Sequence, residues 1–359
     1  MKIAVVPNAF KGSLTASEAA ECIERGLKKA LASVSVLKIP MADGGDGTVQ
    51  AIVEATRGRL IRCRVHDPLG RRINSAFGIT GDGHKAVIEM AMASGLTLLK
   101  LGEYNPMLTS TRGTGELISA ALDQGVKEIL VGIGGTATND GGMGMARALG
   151  VRFYDSHNRE LDEGGGALTR LARIDVTGRD PRIKKVTVSV ACDVSNPLCG
   201  QRGAAVVYGP QKGATPAMVK HLDEGLKRLA AVIRKDLGMN VARLPGAGAA
   251  GGLGAGLVAF LDGQMRPGAE LVTSTIGLGH RITGCDLVIT GEGRLDGQTA
   301  FGKAPAGVAD VAGKLGIPVI AICGSLGPGA EKVRAFGIEA FFSALEESIP
   351  NKDLRRRAP

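Results

Sequence analysis

The sequence of 359 residues has no tryptophan, three tyrosines and eight phenylalanines. So few aromatic side chains leave little surface for stacking on nucleic-acid bases, although the formal net charge is +9. The basic residues are scattered along the chain, and the one tight run, 354–357, is terminal. We therefore expect no nucleic-acid partner, and we interpret the positive charge as favouring small anionic substrates.

Long apolar runs and clustered cysteines are also missing. No stretch approaches the roughly 18 apolar residues of a membrane span, and the N-terminal apolar run is too short for a signal peptide. The cysteines lie far apart, without a C-x-x-C pair or a histidine cluster, which argues against a zinc site and a disulfide framework. These absences predict a cytoplasmic protein with no membrane partner.

Glycine, in contrast, is abundant, with 54 residues or about twice average usage, and indicates many loops shaped by the backbone. The length predicts two domains. The chain begins with a strand at 2–6, a helix opened by the capping box Thr15–Glu18, a strand at 34–39 and a helix from Thr48 to Gly58. This order predicts a βαβα unit.

The architecture changes near residue 66 and changes back near residue 281. Three strand-like runs separated by turn residues, beginning at residue 59, predict an antiparallel meander, and the chain that follows alternates helices and strands. From residue 281 the βαβ spacing returns. We therefore predict an α/β protein in which 66–280 is inserted into a discontinuous domain made of 1–65 and 281–359, with the active site in the cleft between them.

Two loops of the first unit carry candidate chemistry. In "MADGGDGT", Asp43 follows a strand among Gly44 and Gly45, where a carboxylate can hold Mg²⁺ or accept a proton. Asp46 either shares that role or caps the next helix. In "NAFKGS", Lys11 and Ser13 follow the first strand, where a lysine neutralises phosphate or carboxylate or is simply solvated.

The loop "GIGGTATNDGG", residues 132–142, joins a buried strand to a helix and is suited to holding an anion on backbone N–H groups. Its Asp140 is either a metal partner or a helix N-cap. The candidate phosphate-binding residues in this loop are Gly134, Gly135, Thr136, Thr138 and Asn139.

Two further polar stretches follow predicted strands. Asp193 ends an apolar strand in the position of a general base, or alternatively starts an Asn-Pro turn, with Asn196 and Lys212 nearby in sequence. "GEGRLDGQTAFGKA" follows the strand at 286–290. It is not a P-loop because Ala304 replaces the Mg²⁺-binding hydroxyl residue. This stretch supplies Glu292, Arg294, Asp296, Gln298, Thr299 and Lys303.

The motif "GAGAAG" at 246–251 matches a dinucleotide fingerprint, but it follows a helix instead of a strand. Its glycines therefore indicate that the backbone here closely approaches either another element of the protein or a substrate. The five histidines show no triad or metal-ligand spacing, and no G-x-S-x-G elbow occurs, which disfavours a hydrolase. Acidic, basic and hydroxyl side chains in glycine-rich loops are instead the groups that phosphoryl transfer needs.

Taken in order, "NAFKGSLTA", "MADGGDGT", "GIGGTATNDGG", "CDVSNP" with "GPQKGA", "PGAGAAGGLGAG" and "GEGRLDGQTAFGK" closely resemble the glycerate kinase family of the bacterial, 2-phosphoglycerate-forming type. The resemblance covers about residues 1–343. It implies phosphorylation of D-glycerate that depends on ATP and Mg²⁺. It also implies a Rossmann-like or flavodoxin-like domain built from both chain ends, with an inserted mixed-sheet α/β domain.

The resemblance also implies roles for individual residues. Asp193 is the first candidate for the general base, and Asp43 and Asp296 are the next candidates. Asp43 and Asp296 are also the candidate metal ligands. Lys11 is the fourth candidate catalytic residue. Gly44 and Gly45 join the 132–142 loop in holding nucleotide or phosphate. The implied substrate-binding residues are Ser13, Arg294, Asn196, Lys212 and Gln298. Phosphorylation at the second carbon is favoured over the third.

The chain departs from the usual family pattern at Asn8-Ala9, where the family has Asp-Ser, at Asp46, where it has Glu, and beyond residue 343. Two alternatives stay open on the sequence. One is a nucleotide- or dinucleotide-binding protein without kinase activity, and the other is a kinase for another small hydroxy acid. The oligomeric state is also open, a homo-oligomer included.

Overall fold

The computed structural model describes residues 1–297, 299 and 303–345 and divides into two compact units. Unit 1 consists of Met1–Gly58 together with the chain from Pro267 onward, and unit 2 is Arg59–Arg266. Both units mix helices and strands, so the predicted α/β class is confirmed.

The strands alternate with helices through most of the chain, apart from the run β3 to β5. Over the described residues the strands are β1 (Lys2–Pro7), β2 (Ser35–Lys38), β3 (Arg59–His66), β4 (Arg72–Ile79), β5 (Lys85–Glu89), β6 (Glu128–Gly132), β7 (Arg152–Tyr154), β8 (Arg173–Asp175), β9 (Thr187–Ala191), β10 (Gln264–Arg266), β11 (Leu287–Leu295), β12 (Val319–Leu326) and β13 (Ile338–Ser343).

Most of the α-helices are short. Within the same ranges they are α1 (Ala16–Ala30), α2 (Thr48–Thr56), α3 (Ala91–Ser94), α4 (Arg112–Asp123), α5 (Met143–Ala148), α6 (Ala204–Tyr208), α7 (Pro216–Leu237), α8 (Leu253–Leu261), α9 (Gly268–Thr275), α10 (Leu278–Ile282) and α11 (Ala304–Gly313). None of the helices described here has the length and apolar composition to cross a membrane.

Unit 1 is built on a parallel sheet. Among the described residues its strand order is β13-β12-β11-β1-β2, and every neighbouring pair is parallel. Numbered by appearance within the unit, this order is 2-1-3-4-5, the flavodoxin-like arrangement. The tertiary structure therefore decides between the two folds that the resemblance implied.

The N-terminal half of unit 1 forms as its sequence predicts. Residues 3–6 of β1 are buried, as expected for a central parallel strand with both faces covered. Thr15 accepts a hydrogen bond from the Glu18 N–H, and the Glu18 carboxylate accepts one from the Thr15 N–H, so the capping box is confirmed. Helix α1 packs Ala20 on the core formed by Ile3 and strand β11.

Strand β11 is longer than its sequence indicates. The apolar run ends at Thr290, yet the strand continues to Leu295 because Glu292 and Arg294 stay in register with β12. Gly291 permits this pairing, since a Cβ there would lie 1.8 Å from the Ile322 carbonyl oxygen. Residues expected in a loop are thus fixed on a sheet.

Unit 2 contains a mixed sheet with the order β10-β9-β6-β5-β4-β3 in the described part of the chain. Strands β3, β4 and β5 form the predicted antiparallel meander, whereas β5, β6, β9 and β10 pair in parallel. The longest of the described helices, α7, is N-capped by Thr215 and followed by Gly238 in the left-handed conformation, as a threonine and a glycine at its two ends favour. Its apolar face contributes to the large core of this unit.

The unit boundaries fall at 58/59 and 266/267, in place of the predicted positions near 65 and 280. Strand β3 belongs to unit 2 because all eight of its residues pair with β4. Helices α9 and α10 belong to unit 1, where Arg281 Nη1 donates to the Ala55 carbonyl oxygen at 3.2 Å. Pairing partners far apart in sequence set both boundaries.

Candidate active site

The switch point of the unit 1 sheet lies between β1 and β11. In sheets of this order ligands bind outside the carboxyl ends of the strands at the switch point. Pro7 pairs with Gly291 at this edge, and the Asn8 N–H donates to the Gly291 carbonyl oxygen at 2.8 Å. Asn8 and Glu292 are therefore the first side chains beyond that pair on the two neighbouring strands.

Asp43 lies at this edge and is oriented by Asn8. The Asn8 side chain donates from Nδ2 to Asp43 Oδ2 at 3.1 Å, while its Oδ1 accepts from the Ala9 N–H at 2.8 Å. The second bond fixes which end of the amide faces Asp43. Gly44 has φ 89°, so the turn after Asp43 needs glycine. One carboxylate of the predicted set is thus held in place.

Glu292 is a buried carboxyl group at the same edge, with 7% exposure, and was not among the predicted catalytic residues. Burial raises its pKa, and the nearby charges of Asp43 and Asp296 act in the same direction. The hydrogen bond from Thr299 and the charge of Lys303 oppose that shift. A glutamate between two glycines just beyond an apolar strand was the available sequence signal.

Asp296 follows β11 and lies beside two basic groups. Lys303 Nζ is 3.8 Å from Asp296 Oδ1 and 3.9 Å from Glu292 Oε2. Arg294 Nε is 3.7 Å from Asp296 Oδ2, and the Arg294 side chain is largely exposed. The predicted Asp296 and Arg294 therefore come together, with Lys303 as an added cation.

Lys11 and Ser13 lie on the loop after β1. The Lys11 side chain is exposed, and its backbone nitrogen passes close to β11, since a Cβ at Gly293 would lie 3.1 Å from it. Ser13 is half-buried. Asp46 does not cap α2, because Gly47 takes the N-cap position and Asp46 is exposed. Gln298 lies outside the described residues.

Most polar side chains of the 132–142 loop in unit 2 are buried. Gly134 and Gly135 are exposed, whereas Thr136, Thr138 and Asn139 are buried. Thr136 Oγ1 and Thr138 Oγ1 hydrogen-bond to each other at 2.8 Å. Neither Nδ2 nor Oδ1 of the Asn139 amide has a hydrogen-bond partner among the described residues. The exposed backbone of the two glycines is therefore available for a ligand, whereas the Asn139 amide is buried.

Asp140 organises this loop from inside. Its carboxylate accepts hydrogen bonds from the Thr111 N–H and hydroxyl at 2.8 Å and from the Gly142 and Gly144 N–H groups at 3.1 Å. Burial raises its pKa, and these hydrogen bonds oppose the shift. The N-cap interpretation is wrong, because Gly142 takes the N-cap position of α5. Asp140 instead binds N–H groups of the loop and of the first turn from a buried position.

Lys212 supports the same loop. Its side chain is 1% exposed, and Nζ donates to the Thr138 carbonyl oxygen at 2.7 Å. Burial lowers the pKa of this lysine to about 7, while the charge of Asp140 acts in the opposite direction. The structure thus places a predicted substrate-binding cation against the protein backbone.

Asp193 is exposed just beyond β9, at the strand end where the sequence placed it. The Asn196 amide is bonded within its own segment. It accepts from the Tyr208 hydroxyl at 2.7 Å and donates to the Arg202 carbonyl oxygen at 2.8 Å. Asn196 therefore shapes the segment that carries Asp193.

The unit 1 edge suits a divalent cation whose coordination shell is completed by oxygen atoms of the substrate and by water. Mg²⁺ in kinases is usually bound by one or two carboxylates together with phosphate oxygens and water. No group of three or more His, Cys, Asp or Glu side chains in the described ranges could hold a metal ion alone. Asp43 and Asp296 fit the partial site, since both are oxygen donors at the carboxyl edge of the sheet.

The fold and these side chains define a two-domain α/β enzyme with polar groups at a sheet switch point. The model of the glycerate kinase family matches residues 3–359. The chain therefore belongs to the glycerate kinase family, and it is a kinase that transfers a phosphoryl group to an alcohol. Membership of a kinase family implies ATP as the phosphoryl donor.

The curated relatives match along nearly their whole length. The chain is 53% identical to a glycerate kinase of Halalkalibacterium halodurans, over 98% of this chain and 94% of that protein. It is 49% identical to glycerate 2-kinase of Escherichia coli, over 96% and 91% of the two chains. A crystal structure from Salmonella typhimurium LT2, provisionally named glycerate kinase 2, superposes with a TM-score of 0.90. That protein is 47% identical, with coverage of 100% of this chain and 94% of the other.

Proposed function

We propose that this protein phosphorylates D-glycerate with ATP, forming 2-phosphoglycerate and ADP. The observation that carries the proposal is full-length similarity to several glycerate kinases, one of which is named for the second position. The unit 1 switch point supports it, because phosphoryl transfer needs cations and carboxylates around the phosphates and little covalent chemistry from the protein.

In this proposal the unit 1 edge handles the phosphates. Lys11 and Arg294 are exposed cations beside the edge, and Lys303 lies over Asp296. Asp43 and Asp296 are the residues that would hold Mg²⁺. Bound there, the ion would neutralise charge on the phosphate oxygens. The exposed Gly134 and Gly135 and the buried Asn139 amide are the proposed nucleotide contacts of unit 2.

The proposed base for the glycerate hydroxyl is Asp193, with Asp43 and Asp296 as the next candidates. Ser13 and Asn196 remain the proposed substrate-binding side chains, together with Arg294. Lys212 contributes indirectly, because its Nζ donates a hydrogen bond to the loop that carries Asn139. The predicted cleft between the domains and the role of Gln298 stay predictions.

The decisive experiment is phosphorus NMR of a mixture of protein, ATP, Mg²⁺ and D-glycerate. We expect signals of ADP and of a phosphate monoester. The phosphorus–proton coupling of the monoester should match that of 2-phosphoglycerate, and its signal should grow when authentic 2-phosphoglycerate is added. A 3-phosphoglycerate signal would contradict the position, and unchanged ATP would contradict the activity. An Asp43→Asn protein that retains its fold is the matched control for background hydrolysis.

Two parallel measurements address the alternatives. Higher kcat/KM for L-glycerate, tartronate or glycolate than for D-glycerate would indicate a kinase for another hydroxy acid. Binding of a reduced dinucleotide without binding of ATP would indicate a nucleotide-binding protein without kinase activity.

We further propose a cytoplasmic location, which is supported by the cysteines. All six lie in the described part of the chain and are unpaired. This pattern is common in reducing compartments. Absence of a nucleic-acid partner stays a prediction, and the oligomeric state stays open.

A further inference from the structure

Glu292 is buried at the switch point, and the roles proposed above do not use it. Its side chain is 9% exposed, compared with 24% for Asp296 and 32% for Lys303 beside it. Burying an ionised carboxylate is costly unless hydrogen bonds and opposite charge compensate for the lost water. The partners of Glu292 therefore indicate what the residue does.

One oxygen of Glu292 orders the chain after β11. Glu292 Oε1 accepts a hydrogen bond from the Thr299 hydroxyl at 2.6 Å. Since the Thr299 hydroxyl donates its single proton to Glu292, its oxygen acts as an acceptor. It accepts a hydrogen bond from the Asp296 N–H at 3.1 Å. The Thr299 N–H in turn donates to the Asp296 carbonyl oxygen at 3.0 Å. The backbone position of Asp296 thus depends on Glu292 through one buried hydroxyl.

The other oxygen of Glu292 faces a cation. Lys303 Nζ lies 3.9 Å from Glu292 Oε2 and 3.8 Å from Asp296 Oδ1, beyond hydrogen-bonding distance in both cases. Lys303 occupies the N-cap position of α11, a ten-residue helix whose N-terminus also favours an anion. Two carboxylates thus hold the ammonium near this edge without satisfying its hydrogen bonds.

We propose that Glu292 is a positioning residue of the phosphoryl-transfer site, fixing Asp296 through Thr299 and holding the Lys303 ammonium where nucleotide phosphate binds. The identity of the ligand rests on the proposed function. Glu292 itself touches neither substrate nor metal in this arrangement. Its effect passes through one carboxylate, one hydroxyl and one cation of unit 1.

The first test compares Thr299→Val with Thr299→Ser. Valine keeps the shape of threonine but leaves the Asp296 N–H and Glu292 without their shared hydroxyl, whereas serine keeps the hydroxyl and loses only a methyl group. We expect Thr299→Val to lower kcat, or to weaken MgATP binding, by at least about 10-fold relative to Thr299→Ser. The KM for D-glycerate should be similar in both.

The second test uses Glu292→Gln, which can still accept from Thr299 but carries no charge for Lys303. Because Lys303 Nζ lies 3.9 Å from Glu292 Oε2, loss of that charge should release the ammonium from its position. We expect Glu292→Gln to lower kcat by about 10-fold at constant pH.

Outcomes for the two hypotheses are separable. Calorimetric titration with MgATP is run on the wild type and both Thr299 variants, with thermal melts showing that each is folded. A wild type that binds MgATP but makes no phosphoglycerate would refute the proposed function alone. The positioning role would be refuted if Thr299→Val matched Thr299→Ser within about twofold in both MgATP affinity and kcat. A kcat of Glu292→Gln within about twofold of the wild type would also overturn it.

Discussion

Replacing Lys212 by methionine should remove a dependence of unit 2 stability on pH. Burial lowers the pKa of this lysine from 10.5 to about 7 in the folded protein. Between these values the unfolded chain binds a proton that the folded protein has lost. The free energy of unfolding of the wild type should therefore rise with pH across this window, by at most about 1.4 kcal/mol per pH unit. Below pH 7 both states are protonated, and the full penalty of burying the charge remains.

The perturbation is conservative because methionine retains an unbranched apolar stem and cannot titrate. From about pH 7.5 to about pH 9.0, the difference in unfolding free energy, wild type minus Lys212→Met, should increase by about 2 kcal/mol. The sign follows from proton uptake on unfolding. The variant also loses the bond to the Thr138 carbonyl oxygen, which changes the size of the difference but not its slope.

The assay is urea unfolding followed by tyrosine fluorescence under reducing conditions. The chain has no tryptophan, and its three tyrosines, Tyr104, Tyr154 and Tyr208, all lie in unit 2, so the signal reports on that unit. Lys220→Met, an exposed position on α7, is the matched control. A difference that stays constant over the pH range, or an equal slope for Lys220→Met, would show that Lys212 is not a buried neutral amine.

Three further predictions concern single positions. Asn8→Ala should lower kcat about 10-fold by freeing the Asp43 carboxylate, and an unchanged kcat in steady-state assays would argue against a role for their contact. Asp193→Asn should reduce turnover at least about 100-fold with little change in melting temperature, and near-normal turnover would remove Asp193 from the role of base. Gly251→Ala should destabilise by at least about 2 kcal/mol in urea unfolding, because its φ is 66° and a Cβ would lie 2.0 Å from a backbone oxygen. Gly238→Ala, at φ 73° with open space, should cost less, and equal losses would contradict the clash.

Helix caps and helix ends were predictable from the sequence wherever the residues that form them are close together in the chain. The capping box of Thr15 and Glu18 and the ends of α7 form as their residues indicate, because the groups that bond are a few positions apart. The close backbone approach expected at the glycines of 246–251 is present in the structure. They admit neighbouring backbone, as at Gly248, where a Cβ would lie 2.2 Å from the Pro197 carbonyl oxygen.

The length of β11 and the surroundings of Lys212 depend instead on residues that are distant in sequence. Strand β11 extends past its apolar run because β12 continues to pair with it, and this extension fixes Glu292 on the sheet. Lys212 was predicted to bind substrate, and the fold bonds its Nζ to the Thr138 carbonyl oxygen, 74 positions earlier in the chain. No local pattern carries that information, because the free energy of burial depends on what surrounds a group.

The sequence alone determined the family, the α/β class and which strand ends carry acidic and basic residues, since these follow from ordered motifs and local periodicity. Only the tertiary structure decided the flavodoxin-like strand order, the unit boundaries, the hydrogen bond from Asn8 to Asp43 and the burial of Glu292. The physical reason is that strand pairing joins segments up to 284 positions apart, as where Val6 of β1 pairs with Thr290 of β11.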